Sequence, residues 1–323
     1  MTGSLESHLH KNGSNPRRII KALRDAQNSA EMPPSRSTVK SVKTHLRACI
    51  DANNLQPLFY NEDESAFNSR ASRLVNKVLK TDFQNIANNW RGVSLQMAQR
   101  LCKLALYDIV LLVDDSSSIR TRNEDDGRLD DLEMIASILA EVSALFDDDG
   151  IDIEFLNNEE KYRGIREGKI ASQILHDLEF RGKTKLGQAL HQKVHRRFFH
   201  KSSSTDTSLK MKKPVLVFII TDGAPAGEPE KNLEKQIRKA RKYLDDEGYP
   251  PDFFRYQIVQ VGKNQKSSEF LQDLKQQFAV EEFVDVSSRY AVEKRELELM
   301  GLEPSPELYL VKLLLGAIDG RFY

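Results

Sequence analysis

This sequence contains few cysteines, lacks long apolar runs and has no excess of either charge. The chain of 323 residues contains two cysteines, Cys49 and Cys102, which are too few for a disulfide framework or a structural zinc site. Two thiols without a secretory signal indicate a reducing compartment. We therefore expect an intracellular protein, with the cytoplasm as its compartment.

No apolar run approaches the roughly 18 residues that a membrane-spanning helix needs. The longest, LCKLALYDIVLLV, is interrupted by Lys103 and Asp108. Lysine plus arginine equals aspartate plus glutamate at 48 each, so bulk charge favours neither nucleic acid nor a membrane surface as a partner. The basic stretch KQIRKARK is interpreted as a solvated helix face. We expect no membrane span and no nucleic-acid binding.

Three regions of the chain differ in composition. Residues 1–36 are rich in Ser, Asn, Arg and Pro, which predicts a disordered tail. Over 37–100 the apolar residues recur at three- and four-residue spacings, which predicts a helical N-terminal segment. Over 101–323 apolar runs alternate with helical patterns. This alternation predicts an α/β domain with a doubly wound, mainly parallel sheet flanked by helices, as in Rossmann-like folds.

Polar side chains follow two of the predicted strands, at the point where each strand ends. The run YDIVLLV leads into Asp114, Ser116 and Ser118, and the run PVLVFII leads into Asp222. A third polar turn, RGKTKLG, lies between them and carries Thr184. In an open parallel sheet, ligands bind outside the carboxyl ends of the strands, near the reversal of strand order. We therefore predict one site from these five residues.

The donors of this predicted site are carboxylate and hydroxyl oxygens, with no imidazole or thiolate among them. Such a set suits Mg²⁺, with Mn²⁺ or Ca²⁺ as alternatives, and does not suit zinc or copper. Taken alone, DDSSS after a strand is a weak signal, because Asp and Ser are common in turns. The signal becomes specific when Thr184 and Asp222 complete it.

The motifs resemble a known family at this point. Asp114-x-Ser116-x-Ser118, Thr184 within G-x-T-x-L-G and Asp222 within T-D-G are similar to the metal-ion-dependent adhesion site of the von Willebrand factor A domain. The stretches LALYDIVLLVDDSSS, FDDDGI and FLNN resemble a group of fungal proteins that carry this domain. The resemblance covers 101–323 and extends weakly over the NNLQPLFY and IANNW stretches before them.

The resemblance implies a role for each residue. Ser116 and Ser118 would bind the metal through their hydroxyls, and Thr184 would do so directly or through water. Asp114 and Asp222 would act through bridging waters. A protein partner would supply an Asp or Glu carboxylate to the open coordination position. The implied function is a divalent-metal-dependent protein-binding module, not an enzyme.

The sequence departs from the family pattern at two positions. Ser117 stands where glycine is common between the two serines, and Lys185 stands where proline often follows the threonine. Neither change removes an oxygen donor, and Lys185 adds positive charge beside the site. Asp115, which lies between the motif residues, is interpreted as having no role in the site.

Two alternatives remain open: a scaffold whose metal site is vestigial, and a Mg²⁺-dependent enzyme, for which no general base is evident.

Other motifs are incomplete in this sequence. The stretch GKT lacks the first glycine of a Walker A motif, since Asp177 stands there. Ser116 occupies the place of the second aspartate of dehalogenase-like phosphatases. His191 and His195 are interpreted as an exposed helix face, and FDDDG as a solvated turn.

Overall fold

A computed structural model describes most of the chain. The residues described are 16–28, 36–59, 74–75, 77–120, 127–199, 211, 213–278, 283–299, 301 and 303–319. The predictions for residues 1–15, for 29–35 and for Gly320 fall outside these ranges.

Six strands form one sheet. Their order is β3-β2-β1-β4-β5-β6, and every neighbouring pair is parallel except β2 with β3. The strands are β1 Asp108–Val113, β2 Ile151–Phe155, β3 Tyr162–Ile165, β4 Val215–Thr221, β5 Phe254–Gln260 and β6 Val284–Ser287. The predicted mainly parallel sheet is confirmed. The short antiparallel edge strand β3 was not predicted.

The central strands are covered on both faces. All seven residues of β4 are buried, and so are all seven of β5. Because successive side chains of a strand point to opposite faces, complete burial requires helices on both sides of the sheet. The structure therefore confirms the predicted α/β architecture, a sheet flanked by helices.

Twelve helices are numbered here among the described residues. They are α1 Pro16–Asn28, α2 Arg36–Ala52, α3 Gln56–Phe59, α4 Phe83–Asn89, α5 Leu95–Arg100, α6 Arg128–Phe146, α7 Gly168–His176, α8 Leu186–Ala189, α9 Asn232–Asp246, α10 Gln265–Gln277, α11 Tyr290–Leu299 and α12 Pro306–Leu315. The segment that starts with α8 continues as a π-helix over Leu190–His195 and a last turn over Arg196–Phe198. Within the described residues, no helix combines the length and apolar character needed to cross a membrane.

Helix α1 lies within the region for which the sequence predicts a disordered tail. Ile19, Leu23 and Ala26 are fully buried in the apolar core. They recur at spacings of four and three residues, so the helix presents one apolar face in spite of its polar composition. Arg24 Nε donates to Glu141 Oε1 of α6 at 2.9 Å. The prediction of disorder is therefore wrong for residues 16–28.

The N-terminal helices contact the end of the α/β region. Asn53 Nδ2, just after α2, donates to the carbonyl oxygen of Ile318 at 3.2 Å. Arg100 Nη2 and Lys103 Nζ lie 2.6 and 2.8 Å from the carboxylate of Asp319. Both cations and the carboxylate are buried. Side chains from α1 through residue 318 thus belong to one core.

Helix α12 begins as its sequence predicts. Ser305 is the N-cap residue, and its Oγ accepts from the Leu308 N–H at 3.0 Å. Pro306 occupies the first helical position, where its missing N–H costs nothing. Ser305 Oγ also donates to the carbonyl oxygen of Arg91 at 2.6 Å. One side chain therefore caps α12 and ties it to the N-terminal region.

Candidate metal centre at the carboxyl ends of β1 and β4

The predicted site lies where the strand order of the sheet reverses. Strands β1 and β4 are neighbours, and the chain continues from β1 to β2 on one side and from β4 to β5 on the other. Between two such strands the following loops diverge and leave a crevice for a ligand. Asp114 follows β1 directly, and Asp222 follows β4. Both carboxylates are buried.

Four side-chain oxygens form a continuous chain in this crevice. Thr184 Oγ1 donates to Ser116 Oγ at 3.1 Å. Ser116 Oγ lies 3.0 Å from Ser118 Oγ. Ser118 Oγ donates in turn to Asp222 Oδ1 at 2.8 Å. The structure thus brings together oxygens from three separate loops.

Asp114 holds the residues around these four oxygens through hydrogen bonds. Its Oδ1 accepts from the Ser116 N–H at 3.0 Å, and its Oδ2 accepts from Thr221 Oγ1 at 2.6 Å. Burial, and then the nearby charge of Asp222, raises the pKa of Asp114 to about 6, against the opposing effect of hydrogen bonds from Ser116 and Thr221. A buried carboxylate whose ionisation is disfavoured by burial and by a neighbouring carboxylate is an environment that a cation would stabilise.

The loop that carries Thr184 is held against the β1 loop through its backbone. The Arg181 N–H donates to the Asp115 carbonyl at 2.8 Å. Gly182 has a φ of +88°, and a Cβ there would lie 2.4 Å from Asn157 Oδ1. No other residue fits this position without displacing Asn157. The glycine therefore allows the loop that carries Thr184 to pack directly against Asn157.

Asp115 has a structural role that the sequence analysis missed. Its side chain is fully buried. Oδ1 accepts from the Asn157 N–H at 2.7 Å and from Asn157 Nδ2 at 3.0 Å, and Oδ2 accepts from the Asn158 N–H at 2.7 Å. Asp115 thus joins the loop after β1 to the turn after β2. The interpretation that it has no role in the site is wrong.

The two departures from the family pattern leave the oxygen chain intact. Among the described residues, Asn54 is the only non-glycine residue with a positive φ, so Ser117 adopts an ordinary backbone conformation. A glycine is not needed there. Lys185 is half-buried next to the exposed Lys183. A Cβ on Gly227 would lie 2.6 Å from Lys183 Cδ and 3.4 Å from Lys185 Cε, so both lysines flank the same loop beside the site.

Arg128 is a site residue that the sequence analysis did not predict. It is the first residue of α6, and its side chain is buried. Its Nη1 donates to Asp222 Oδ2 and to the Ser118 carbonyl oxygen, each at 2.7 Å. A guanidinium cation thus contacts the same carboxylate as the oxygen chain.

A second group of carboxylates lies at the opposite end of β1. Oxygens of Asp108, Asp147 and Asp149 lie within 4.8 Å of one another. Lys213 Nζ forms ion pairs with Asp108 at 2.9 Å and with Asp147. This ammonium already neutralises part of the group, which shares no residue with the predicted site.

The structure separates the two histidines that the sequence places on one helix face. His191 is exposed, as predicted, but His195 is fully buried, so the prediction is wrong for His195. His195 Nε2 lies 2.9 Å from Tyr256 Oη. Burial, and to a smaller extent His191, lowers the pKa of His195 to about 3. His195 is therefore a neutral core residue of the π-helix.

No family model and no curated protein matches this chain. A functional assignment therefore rests on the geometry and chemistry of the site. Among the described residues its donors are hydroxyl and carboxylate oxygens, three of them neutral, which converge from three loops. A small hard cation such as Mg²⁺ prefers this set.

Proposed function

We propose that this chain is a von Willebrand factor A-type protein that binds a divalent cation, Mg²⁺ in the first place, and through it an acidic residue of a protein partner. One observation supports the proposal above all others. The oxygens of Thr184, Ser116, Ser118 and Asp222 form an unbroken chain at the strand-order reversal, with successive separations of 3.1, 3.0 and 2.8 Å.

Each residue would have a distinct role toward the cation. The hydroxyls of Ser116, Ser118 and Thr184 would bind it, and Asp114 and Asp222 would hold its waters and balance its charge. When bound, the cation would supply a strong electrostatic attraction for a carboxylate, because neutral hydroxyls leave most of its charge unbalanced. The chain's own residues would keep this arrangement in place through the buried hydrogen bonds of Asp114.

The charge around the crevice supports an acidic partner. Arg181 and Lys183 are exposed on the loop that carries Thr184, and Lys185 is half-buried beside them. Positive side chains at the rim raise the local concentration of anionic ligands and speed their association. The intracellular setting and the lack of nucleic-acid binding that the sequence predicts remain part of this proposal.

The contact of Arg128 with Asp222 favours a second candidate, a scaffold whose metal site is vestigial. In that case the guanidinium would replace the cation permanently, and partners would bind elsewhere. The two candidates differ in one measurable property, which is whether the wild-type protein binds a divalent cation.

Thermal unfolding with and without Mg²⁺ or Mn²⁺ tests the proposal. A ligand at one hundred times its dissociation constant stabilises a protein by about 2.7 kcal/mol, which raises the melting temperature by several degrees. We expect this rise in the wild type and its loss in Ser116→Ala, which removes one hydroxyl. The matched control is Asp108→Ala, which removes a carboxylate from the other acidic group. An unchanged melting temperature in the wild type would refute the proposal.

Partner binding is tested with the same variants. Proteins captured in Mg²⁺ should be released by a chelator, and Ser116→Ala should not capture them. Capture by Asp108→Ala should equal that of the wild type. Capture that survives both the chelator and Ser116→Ala would favour the scaffold.

A further inference from the structure

Arg128 occupies a position that a helix disfavours for a cation. It is the first residue of α6, a helix of 19 residues. The free N–H groups of the first turn and the helix dipole make the N-terminus positive, so arginine is unfavourable there and acidic residues are favoured. Asp130 and Asp131 occupy the favoured places in the same turn. The placement of Arg128 thus opposes local preference, and the contact with Asp222 compensates for it.

The path of the Arg128 side chain depends on a glycine. Gly262, two residues beyond β5, has a φ of +75°. A Cβ at this position would lie 2.6 Å from Arg128 Nε and 2.7 Å from its Cγ. The guanidinium reaches Asp222 Oδ2 and the Ser118 carbonyl oxygen because no side chain stands there. The loops after β1 and β4 and the segment after β5 therefore combine to hold the Arg128 guanidinium in place.

We propose that Arg128 is an internal counter-cation that competes with the divalent metal for Asp222 and so makes metal binding depend on the partner's carboxylate. This inference rests on the proposed function. Asp222 Oδ2 accepts from the guanidinium, while Oδ1 belongs to the oxygen chain. A divalent cation bound to these oxygens would share the Asp222 carboxylate with the fixed positive charge of Arg128. Their repulsion weakens metal binding in the absence of a partner.

The charge balance gives the direction of the effect. Asp114, Asp222 and Arg128 together carry one negative charge when both carboxylates are ionised. A divalent cation changes this to one positive charge, and the carboxylate of a partner brings it to zero. Without Arg128, the cation alone would neutralise the two carboxylates, and the partner's carboxylate would add an unbalanced negative charge. Arg128 therefore lowers the affinity for the metal and raises the affinity of the metal-loaded site for a carboxylate.

Calorimetric titration of the full chain with Mn²⁺ tests the first half of the proposal. We expect Arg128→Gln to bind Mn²⁺ at least about tenfold more tightly than the wild type, a change of about 1.4 kcal/mol. Arg128→Lys keeps the charge and should bind nearly as weakly as the wild type. The matched control is Arg255→Gln, which removes another buried arginine, one that contacts Asp252 and Ala317 at the far end of β5. It should leave Mn²⁺ affinity unchanged.

Acetate, as a carboxylate probe, tests the second half. At saturating Mn²⁺, acetate should bind Arg128→Gln several-fold more weakly than it binds the wild type. If Arg128→Gln does not fold, the wild type still provides a measurement. The guanidinium NMR signal of Arg128 is identified by its loss in Arg128→Lys. For this measurement Mg²⁺ replaces Mn²⁺, because Mg²⁺ is diamagnetic. The signal should shift when Mg²⁺ is added and shift again when acetate is added.

The outcomes separate the two proposals. Mn²⁺ binding to the wild type with equal or weaker affinity in Arg128→Gln would overturn the counter-cation and leave the proposed function standing. Absence of binding in the wild type and in every variant would overturn both. Binding to Arg128→Gln alone would refute the proposed function of the wild type, and with it the counter-cation, and would support the scaffold in which the guanidinium replaces the metal permanently.

Discussion

Thr184 Oγ1 lies 3.1 Å from Ser116 Oγ, although 68 residues separate the two in the chain. Their hydrogen bond joins the loop after β1 to the turn that precedes α8. Each hydroxyl alone would be an ordinary turn residue. Their convergence, together with Ser118 and Asp222, makes the region a candidate site for a hard cation.

Thr184→Ala should impair metal binding more than folding. The change removes one neutral hydrogen bond, so the metal-free protein should lose only about 1 kcal/mol of stability. The rise of melting temperature on addition of Mg²⁺ should fall by half or more, because one oxygen donor is lost. Thermal unfolding with and without Mg²⁺ measures both effects. Thr184→Ser keeps the hydroxyl and should behave as the wild type; an equal loss in both variants would contradict the assigned role.

Asp114 should make the metal-free protein less stable as the pH rises. Burial raises its pKa to about 6, so the native state binds the proton more tightly than the unfolded chain does. The resulting stabilisation is complete below the unfolded pKa of about 3.9 and is lost as the pH rises through about 6. Relative to Asp114→Asn, the wild type should lose up to about 3 kcal/mol between pH 4 and 7. Urea unfolding across this range measures the difference, and parallel curves would contradict it.

His195 should make the protein sensitive to acid. Its pKa is lowered to about 3 by burial, so the unfolded chain takes up a proton at about pH 6.5 that the native state refuses. The contribution of neutral His195 to the free energy of unfolding is therefore complete above pH 6.5. It falls by about 1.4 kcal/mol for each pH unit below that value. His195→Phe should remove this dependence between pH 6 and 4. The exposed His191 provides the control, since His191→Phe should keep the wild-type slope.

Asp115→Ala should destabilise the fold and the site together. The substitution leaves the N–H groups of Asn157 and Asn158 without their carboxylate acceptor, which we expect to cost roughly 3 kcal/mol or more. The metal-dependent rise in melting temperature should also be lost, because Gly182 packs against Asn157. Asp149→Ala, on an exposed turn, should change stability by less than about 0.5 kcal/mol. Normal stability of Asp115→Ala would contradict the bridging role.

The strands that carry the site could be predicted because buried strands have a recognisable sequence pattern. β1 and β4 are continuous apolar runs, as strands covered on both faces must be. Edge strand β3 has four residues with exposed or half-buried side chains and no apolar run. Its pairing with β2 depends on the neighbouring strand, and the sequence of β3 alone contains no signal for it.

Other features escaped prediction because they depend on distant contacts. Arg128 reaches Asp222 across 94 residues, and an arginine at a helix N-terminus suggests no role by itself. Helix α1 is stabilised by burial against α6, which outweighs its polar composition. His195 faces β5, where Tyr256 supplies its hydrogen bond. In each case contacts with residues distant in sequence outweigh the structure or role that the local sequence pattern favours.

The ion pairs of Asp319 have a consequence for where this protein can be divided. A chain that starts at residue 101 would retain all five residues of the motif. It would lose Arg100, which contacts Asp319 at 2.6 Å, and Asn53, which contacts Ile318 at 3.2 Å. The Asp319 carboxylate would keep Lys103 but lose the guanidinium of Arg100, and the Ile318 carbonyl would lose its amide donor. The part of the chain that shares one core is therefore longer than the segment in which the motif can be recognised.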